Sequence, residues 1–291
     1  VEQSVQGLRI VIEDLPEDRS ARTRIVTTAA DLAYQLDNHG DVEQAVELLE
    51  SVRPASVALA RDFPDDLECF RNAMYLGINL AGGLSDLGRL TEAEVLLRDL
   101  VAEADQRPAG ASGMDAVAHL AAVARMNLTE VLLGLGQPEA AMAEIDRSLV
   151  ELQRLVRAGW QGTARRELEG SLGGAHVLRA TVLAHGGEHA RARGDLERAE
   201  SLMSADPRNQ YELALAWARC AAAAEQDAAL PEGALHALLD ECFHRSLAAL
   251  EHAVESGWND SAALREDPEW ESLRGLPEFD ALLERLATML R

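Results

Sequence analysis

The sequence predicts an all-α protein built from antiparallel helix pairs, and three observations carry this prediction. Hydrophobic residues make up 47% of the 291 residues, but aromatic residues make up only 4%, and the excess is alanine and leucine, which are strong helix formers. Runs rich in valine, isoleucine and threonine are nearly absent, so a β-sheet has little to form from. A glycine turn also recurs along the chain at steps of 48, 48 and 51 residues.

The residues around each turn glycine agree at fixed offsets. Alanine stands five residues after each glycine, and a large aliphatic residue stands nine residues after it. Leucine stands four residues before each glycine, and a small residue stands seven before it. In chain order, the glycines are Gly40, Gly88, Gly136 and Gly187, and the alanines are Ala45, Ala93, Ala141 and Ala192. The other residues are Leu49, Leu97, Ile145 and Leu196 after the glycines, and Leu36, Leu84, Leu132, Leu183, Ala33, Ala81, Thr129 and Ala180 before them.

This pattern is typical of two helices joined by a tight turn. Glycine takes the left-handed backbone conformation that ends the first helix. The small residues let the two helices approach each other closely, and the leucines fill the contact between neighbouring pairs. The alternative is chance agreement within an alanine- and leucine-rich bundle. We call the sixteen residues other than glycine the seam positions.

Two residues depart from the pattern. Arg179 stands where the other repeats have leucine, at Leu32, Leu80 and Leu128. Pro54 lies inside the second helix of the first repeat, which is therefore expected to kink or break near Arg53.

The last third continues without the glycine turn. Helical periodicity over 211–226 and 231–256 predicts a fifth helix pair, and the segment that follows can cap the stack. Trp217, Trp258 and Trp270 are expected to anchor this cap. The predicted organisation is an amino-terminal helix or linker at 1–19, four long helix pairs at 20–206, and the fifth pair with its cap at 207–291. The chain begins at Val1 without an initiator methionine, which suggests a piece of a longer polypeptide.

These residues resemble the tetratricopeptide repeat (TPR), whose helices carry the small residue seven before the turn glycine and the alanine five after it. The spacing departs from the family, because its basic repeat of 34 residues is shorter than the step found here. The resemblance implies a TPR-like α-α superhelix, right-handed, with about five antiparallel helix pairs and carboxyl-terminal capping helices. Protein-protein interaction, without catalysis, is the function that it implies.

A second resemblance covers most of the chain after about Arg19. Several segments are similar to the carboxyl-terminal TPR region of planctomycete-type bacterial serine/threonine protein kinases. These segments are Arg61-Asp62-Phe63-Pro64, Gly88-Arg89-Leu90-Thr91-Glu92-Ala93, Tyr211-Glu212-Leu213-Ala214, Asp267-Pro268, Leu273-Arg274 and Pro277-Glu278-Phe279. The resemblance implies a docking or sensing tail of a signalling protein whose ATP-binding kinase domain lies upstream. The sequence itself has no glycine-rich phosphate loop, HRD or DFG motif.

Charge and composition exclude several partners. The formal net charge of −23 repels phosphate backbones and anionic lipid, so nucleic acid is not an expected partner. The longest apolar stretches fall short of the roughly 20 residues that a membrane span needs, so membrane insertion is not expected. Cys69, Cys220 and Cys242 form no metal or disulfide pattern, which favours a reducing, cytoplasmic location. An extracytoplasmic tail of a membrane-anchored kinase is the alternative.

Binding is expected in the groove that the first helices of the pairs line. The candidate residues are Asp31, Tyr34, Tyr75, Asn79, Met126, Asn127, Glu130, Thr181 and His185. The amides of Asn79 and Asn127, nine residues before their glycines, can both donate to and accept from a peptide backbone; the alternative is that they tie adjacent helices together. The basic clamp of chaperone-tail-binding TPR domains is missing. An acidic protein favours a basic or amphipathic partner segment.

No catalytic, metal or cofactor site is predicted. His176, His185 and His189 lack further ligands, and Gly186 and Gly187 interrupt their helix, so they do not form a convincing metal site. Asp240 and His244 are one turn apart, which is an ordinary surface arrangement. Two alternatives to a protein-binding groove stay open: a sensor of small molecules or peptides with a closed pocket, and a self-associating or autoinhibitory module, which would make the protein a homo-oligomer.

Overall fold

A computed structural model describes residues 19–107, 113–203 and 206–289, and the predicted helix or linker at 1–19 lies almost wholly outside them. Within these residues the chain forms α-helices and one 3-10 turn, at Pro268–Trp270, and no strand. The prediction of an all-α fold built from antiparallel helix pairs is confirmed for this part of the chain. The helices are α1 (Arg19–Asn38), α2 (Val42–Asp62), α3 (Leu67–Asp86), α4 (Leu90–Asp105), α5 (Met114–Gly134), α6 (Pro138–Arg157), α7 (Gly162–His185), α8 (His189–Glu200), α9 (Pro207–Glu225), α10 (Glu232–Glu255), α11 (Ser261–Glu266) and α12 (Pro277–Met289).

The chain divides into two compact units, Val1–Glu151 and Leu152–Arg291, with the boundary inside α6. Five helix pairs follow one another along the chain. We call their first helices (α1, α3, α5, α7, α9) the A helices and their second helices (α2, α4, α6, α8, α10) the B helices. In the first unit α1 packs on α3 and α3 on α5, while α2 and α4 each also contact the A helix that follows them. In the second unit α7 packs on α9, and α8 contacts both.

Four of the pairs turn at the glycines that the sequence singled out, and each turn has the same hydrogen bonds. At Gly88, φ is +72°, and its N–H donates to the carbonyl of Ser85 at 2.9 Å. The N–H of Arg89 donates to the carbonyl of Leu84 at 2.8 Å, and the carbonyl of Arg89 then accepts from Ala93 in the first turn of the next helix. This is a Schellman ending, which satisfies the last carbonyls of the A helix and leaves one residue between the glycine and the B helix.

The seam positions form the interior of the pairs. None of the sixteen side chains is more than 4% exposed. In the third pair Thr129 replaces the alanine of the other repeats. Its hydroxyl donates to the carbonyl of Arg125 at 2.8 Å. The same hydroxyl lies 3.5 Å from the carbonyl oxygen of Ala141 on the partner helix. Small residues at this position therefore bring the A helix within contact distance of the B helix backbone.

Pro54 does not break the second helix of the first repeat. Helix α2 runs from Val42 to Asp62 through Pro54 without a break. Proline removes one backbone donor, but Val52, Ala55 and Leu59 around it are buried, and this packing holds the helix together. The break expected near Arg53 does not occur.

The fifth pair joins its helices without a left-handed residue. Asp227 takes the place of the turn glycine, because its carboxylate accepts from the N–H of Ala229 at 2.9 Å and lies 3.0 Å from Nε2 of His189. A glycine instead closes the far end of this pair. Gly257, at φ +110°, ends α10, and the N–H of Trp258 donates to the carbonyl of Ala253.

The cap forms an aromatic cluster. Trp258 stacks on Tyr211 with 4.7 Å between ring centroids, and the buried Trp270 lies 5.7 Å from Tyr211 and 6.1 Å from Phe279. Trp217 is not part of this cluster. Its indole N–H donates to Glu200 at 3.0 Å and Arg245 covers its ring, so it joins α8, α9 and α10 instead. The contacts of this fully buried tryptophan are therefore with α8 of the fourth pair and α10 of the fifth, and not with the aromatic cluster of the cap as the sequence suggested.

Helix α5 has 21 residues, and its most apolar 18-residue stretch has a mean hydropathy of 1.3, so by length and composition alone it could cross a membrane. Half of that stretch is buried within the protein. It packs against α3 and α4, and Val117 and Ala121 join Phe70 and Met74 in one buried cluster. These contacts are typical of a core helix.

The turn geometry predicts opposite effects for two glycine-to-alanine changes in one helix pair. Gly88→Ala should lower the free energy of unfolding by about 1 kcal/mol, because alanine is strained at positive φ. Gly82→Ala should raise it by roughly 0.5 to 1 kcal/mol, because Gly82 is helical and its added methyl meets open space. Urea unfolding followed by circular dichroism measures both. Equal effects of the two changes would contradict the turn assignment.

Candidate functional site

Seven of the nine candidate groove residues lie on the A helices of the first unit. Tyr34 on α1 is 60% exposed and Tyr75 on α3 is 47% exposed. Asp31 and Glu130 are also exposed. The half-buried residues of the set are Asn79, Met126 and Asn127. Because α1 packs on α3 and α3 on α5, these helices form a continuous layer with aromatic, amide and acidic side chains at its surface.

The other two candidates lie on α7, in the second unit. Thr181 is buried, and its hydroxyl donates to the carbonyl of Val177 at 3.2 Å, so it does not face solvent. His185 is exposed, and its Nδ1 lies 2.9 Å from the carbonyl of Thr181. A carbonyl can only accept, so Nδ1 carries the proton and Nε2 of the neutral ring is left as an acceptor.

His185 lies in a cleft of about 550 Å³ that the sequence did not reveal. We call it the α7–α9 cleft. Two A helices and the residues of the 3-10 turn form its walls. It is lined by Ala184, His185, Ala218, Arg219, Ala222, Ala223, Glu225, Gln226, Pro268, Glu269, Glu271 and Ser272. Its floor is therefore alanine and its rim is polar, with more acidic than basic groups.

An ion pair fixes the wall of this cleft. Nε and Nη2 of Arg219 on α9 both donate to the carboxylate of Glu269. The bond from Nη2 to Oε1 is 2.7 Å. Arg274 binds Glu271 in the same turn. Glu212, two turns before Arg219, is partly buried, and burial raises the pKa of its carboxyl despite the nearby Arg219 and Arg208. The bidentate pair holds the 3-10 turn against α9.

A second cleft, of about 460 Å³, lies in the first unit between α4, α5 and α6. Val117, Ala121 and Val150 line it, together with Arg125. Nη2 of Arg125 donates to both oxygens of Asp105, at 2.8 and 2.6 Å. Both clefts open to solvent, as surfaces for a polypeptide segment do, whereas a small-molecule sensor needs an enclosed pocket.

Charged pairs also cross between the A and B helices of the third and fourth pairs. They occupy positions eleven before and eight after the turn glycine. Nε of Arg125 lies 3.6 Å from Oε2 of Glu144, and Nδ1 of His176 donates to Oδ1 of Asp195 at 2.9 Å. In the first two pairs the same positions carry Ala29 with Leu48 and Gly77 with Leu96, all buried. Aligning the four repeats on their glycines would have revealed this exchange of apolar for charged pairs.

The fourth pair explains why Arg179 replaces leucine. Its Nε and Nη2 donate to the two oxygens of Asp195, each at 2.7 Å. Burial alone would raise the pKa of Asp195, which is 2% exposed, but hydrogen bonds from His176 and Arg179 outweigh burial and lower the pKa to about 2. Arg179 is thus the counter-charge of a buried carboxylate.

Two histidines contact carboxylates within the fold, and the three cysteines are buried. His176 binds Asp195, and His189 lies 3.0 Å from Asp227. Across the part of the chain that the structure describes, no three His, Cys, Asp or Glu side chains are grouped to hold a metal. Cys69, Cys220 and Cys242 are free thiols, and all three are buried. The two clefts present hydrogen-bond acceptors, charged side chains and apolar surface, which are the groups by which proteins bind other molecules.

No protein-family model and no curated protein matches the sequence. Among solved structures, a thermophilic TPR protein of Thermus thermophilus is 18% identical, with 91% of this chain and 98% of that chain covered and a TM-score of 0.46. The MamA protein is 15% identical, with 80% and 96% covered and a TM-score of 0.38. A tetratricopeptide repeat protein from Parabacteroides merdae is 13% identical, with 90% and 98% covered and a TM-score of 0.29.

The buried carboxylate gives a prediction for stability and its pH dependence. Asp195→Asn should lower the free energy of unfolding by about 2 to 4 kcal/mol at neutral pH, because the guanidinium of Arg179 loses its counter-charge. The folded-state pKa lies below the ordinary value of 3.8, so this stabilisation is complete above pH 3.8 and declines as the pH falls towards 2. Urea unfolding of both proteins at several pH values measures the difference.

Arg198→Ala is the matched control for this prediction. Arg198 also contacts Asp195, at 3.2 Å, but its side chain is 62% exposed. Its removal should change the free energy of unfolding by less than about 1 kcal/mol. A difference between wild type and Asp195→Asn that stays constant from pH 5 to pH 2 would show that the carboxylate is not held ionised by its partners.

Proposed function

We propose that this chain is a non-catalytic protein-binding module that holds a segment of a partner protein along the A helices of its first unit. The observation that carries the proposal is the pair of exposed tyrosines, Tyr34 and Tyr75, on α1 and α3. Tyrosine combines a large apolar ring with a polar tip and dominates the energetics of many protein interfaces.

The surroundings of the tyrosines suit a polypeptide ligand. Asn79 and Asn127 occupy equivalent positions on adjacent A helices and are half-buried, so part of each amide is accessible. Such amides can bind the N–H and carbonyl groups of an extended segment. The exposed apolar residues on the B helices of this unit, Val57, Val95 and Val150, are smaller and lack a polar group.

Charge favours a basic or amphipathic segment as the ligand. The whole chain carries a formal net charge of −23, and Asp31 and Glu130 flank the tyrosine and asparagine positions along the A helices. A cationic segment would be steered towards such a surface, and binding should weaken as salt is added.

The proposal also concerns the larger protein to which this module belongs. We infer a docking or sensing tail of a larger signalling protein such as a serine/threonine kinase, on the cytoplasmic side. The support for this is the resemblance of segments such as Arg61-Asp62-Phe63-Pro64 and Pro277-Glu278-Phe279 to such tails. Sequencing the complete gene in its source would test the kinase setting directly.

A matched pair of double variants tests the binding face. Tyr34→Ala/Tyr75→Ala should reduce retention of a specific partner from source-cell lysate by about tenfold or more, because each interface tyrosine contributes roughly 1 to 2 kcal/mol. Val57→Ala/Val95→Ala removes apolar side chains of comparable exposure from the B helices and should leave retention unchanged. Quantitative mass spectrometry of captured proteins, with circular dichroism as the folding control, gives the comparison.

Two results would contradict the proposed face. If both variants retain the same proteins as wild type, the A helices of the first unit are not the binding surface. If the valine variant loses the partner and the tyrosine variant keeps it, the B helices bind instead. Sedimentation of the wild-type chain over a range of concentrations shows whether the captured partner is a second copy of this chain.

A further inference from the structure

The α7–α9 cleft combines an apolar floor with a rim of hydrogen-bond acceptors. Ala184, Ala218 and Ala223 on the floor are at most 8% exposed, and Ala222 beside them is half-buried. Short side chains on two adjacent helices leave the depth of the cleft unfilled. The floor can therefore pack against the methylene groups of a side chain that enters from solvent.

The rim of the cleft carries more negatively than positively charged side chains. Glu225, Glu269 and Glu271 line the cleft with a single arginine, Arg219, whose Nε and Nη2 both donate to Glu269. Glu271 binds Arg274, but its side chain is 78% exposed and keeps further acceptor capacity. Glu225 is exposed at the end of α9. A charged ligand that fits this rim is a cation.

His185 adds a ring nitrogen to the same cleft. Because its Nδ1 donates to the carbonyl of Thr181, the neutral ring offers Nε2 as a hydrogen-bond acceptor. The rim thus presents carboxylate oxygens and an imidazole nitrogen. These groups match the N–H donors of a guanidinium or ammonium group.

The cleft is held open in the folded protein. The bidentate pair of Arg219 and Glu269 joins α9 to the 3-10 turn, and Trp270 next to Glu269 is fully buried in the aromatic cluster of the cap. A wall fixed in this way does not have to be ordered when a ligand enters, which favours binding.

We propose that the α7–α9 cleft receives an arginine or lysine side chain from a partner protein, with its stem on the alanine floor and its charged head at Glu225, Glu271 and His185. This inference rests on the proposed function, because it supplies a separate contact for a partner protein with basic side chains. It concerns the second unit by itself and can be tested without the partner.

The sequence allows a direct chemical test, because all 27 basic residues are arginine and the chain has no lysine. A carbodiimide joins carboxylates to amines that lie in contact with them. With an acetylated, amidated peptide of glycine and alanine around one lysine as the probe, the peptide supplies the only lysine amine. Peptide mapping then identifies which of the 50 acidic residues have coupled.

Coupling at Glu225 and Glu271 should exceed that at Glu251 and Glu284, which are exposed on α10 and α12, by roughly fivefold, as an ion pair of about 1 kcal/mol gives. The same peptide with arginine in place of lysine should suppress coupling at the cleft. The peptide with citrulline, which has the shape of arginine but no charge, should not. Coupling in proportion to exposure alone, or equal competition by citrulline, would overturn the proposal.

A variant that fills the cleft tests whether coupling depends on the shape of the cleft as well as on its charge. Ala222→Leu adds bulk at the floor and leaves every charge in place, so it should abolish the preference for Glu225 and Glu271. Glu251→Gln serves as the control on the surface of α10 and should leave the preference for Glu225 and Glu271 over Glu284 unchanged. Persistence of the preference in Ala222→Leu, with circular dichroism showing an intact fold, would mean that the carboxylates act as an open surface cluster and would overturn the proposal.

Failure of this inference can be told apart from failure of the proposed function. If the lysine peptide finds no preferred site but lysate proteins still depend on Tyr34 and Tyr75, the cleft proposal alone is wrong. If the peptide couples at the cleft and no captured protein depends on the tyrosines, the cleft stands as a receptor for cationic side chains and the binding face of the first unit does not.

Discussion

The hydrogen bond across each left-handed glycine is the constraint on which the repeated part of the structure depends. It runs from the residue after the glycine back to a leucine carbonyl five residues earlier, as from Arg89 to Leu84. The bond ends the A helix and, with a single residue between, begins the B helix in the opposite direction. Because the turn is so short, the residues on both sides of it must face each other. The small seam residues, such as Ala81 and Ala93, are the consequence of that geometry.

This part of the fold could be predicted because its causes are local and repeated. A positive φ requires glycine, and close helix contact requires alanine, so both leave marks at fixed offsets. The fifth pair left no such mark, because Asp227 closes its loop through side-chain bonds. Likewise, nothing in the order of residues indicates that Arg219 binds Glu269 fifty positions away, so the α7–α9 cleft could be found only from the structure.

Several expectations from the sequence differ from the structure because they depend on how deeply a side chain is buried. Proline at Pro54 argued for a break in α2, but buried neighbours on the same helix hold it together. Residue type alone places Trp217 in the cap, whereas in the structure its side chain contacts Glu200 on α8 and Arg245 on α10. Thr181 was selected by its position on an A helix, but it lies below the surface of that helix. Register predicts which residues share a helix face, and only packing determines how deep that face lies.

The charged pairs of Arg125 with Glu144 and of His176 with Asp195 distinguish hairpins that are otherwise alike. In the first two hairpins the corresponding residues are apolar, as with Ala29 and Leu48. A helix that folded against the wrong partner, from another hairpin or another molecule, would place an arginine or carboxylate against an aliphatic side chain. An uncompensated buried charge costs several kcal/mol. Repetitive chains are prone to exchange equivalent elements between copies. These two pairs therefore disfavour packing of α5 or α7 against α2 or α4, whose residues at this position are Leu48 and Leu96.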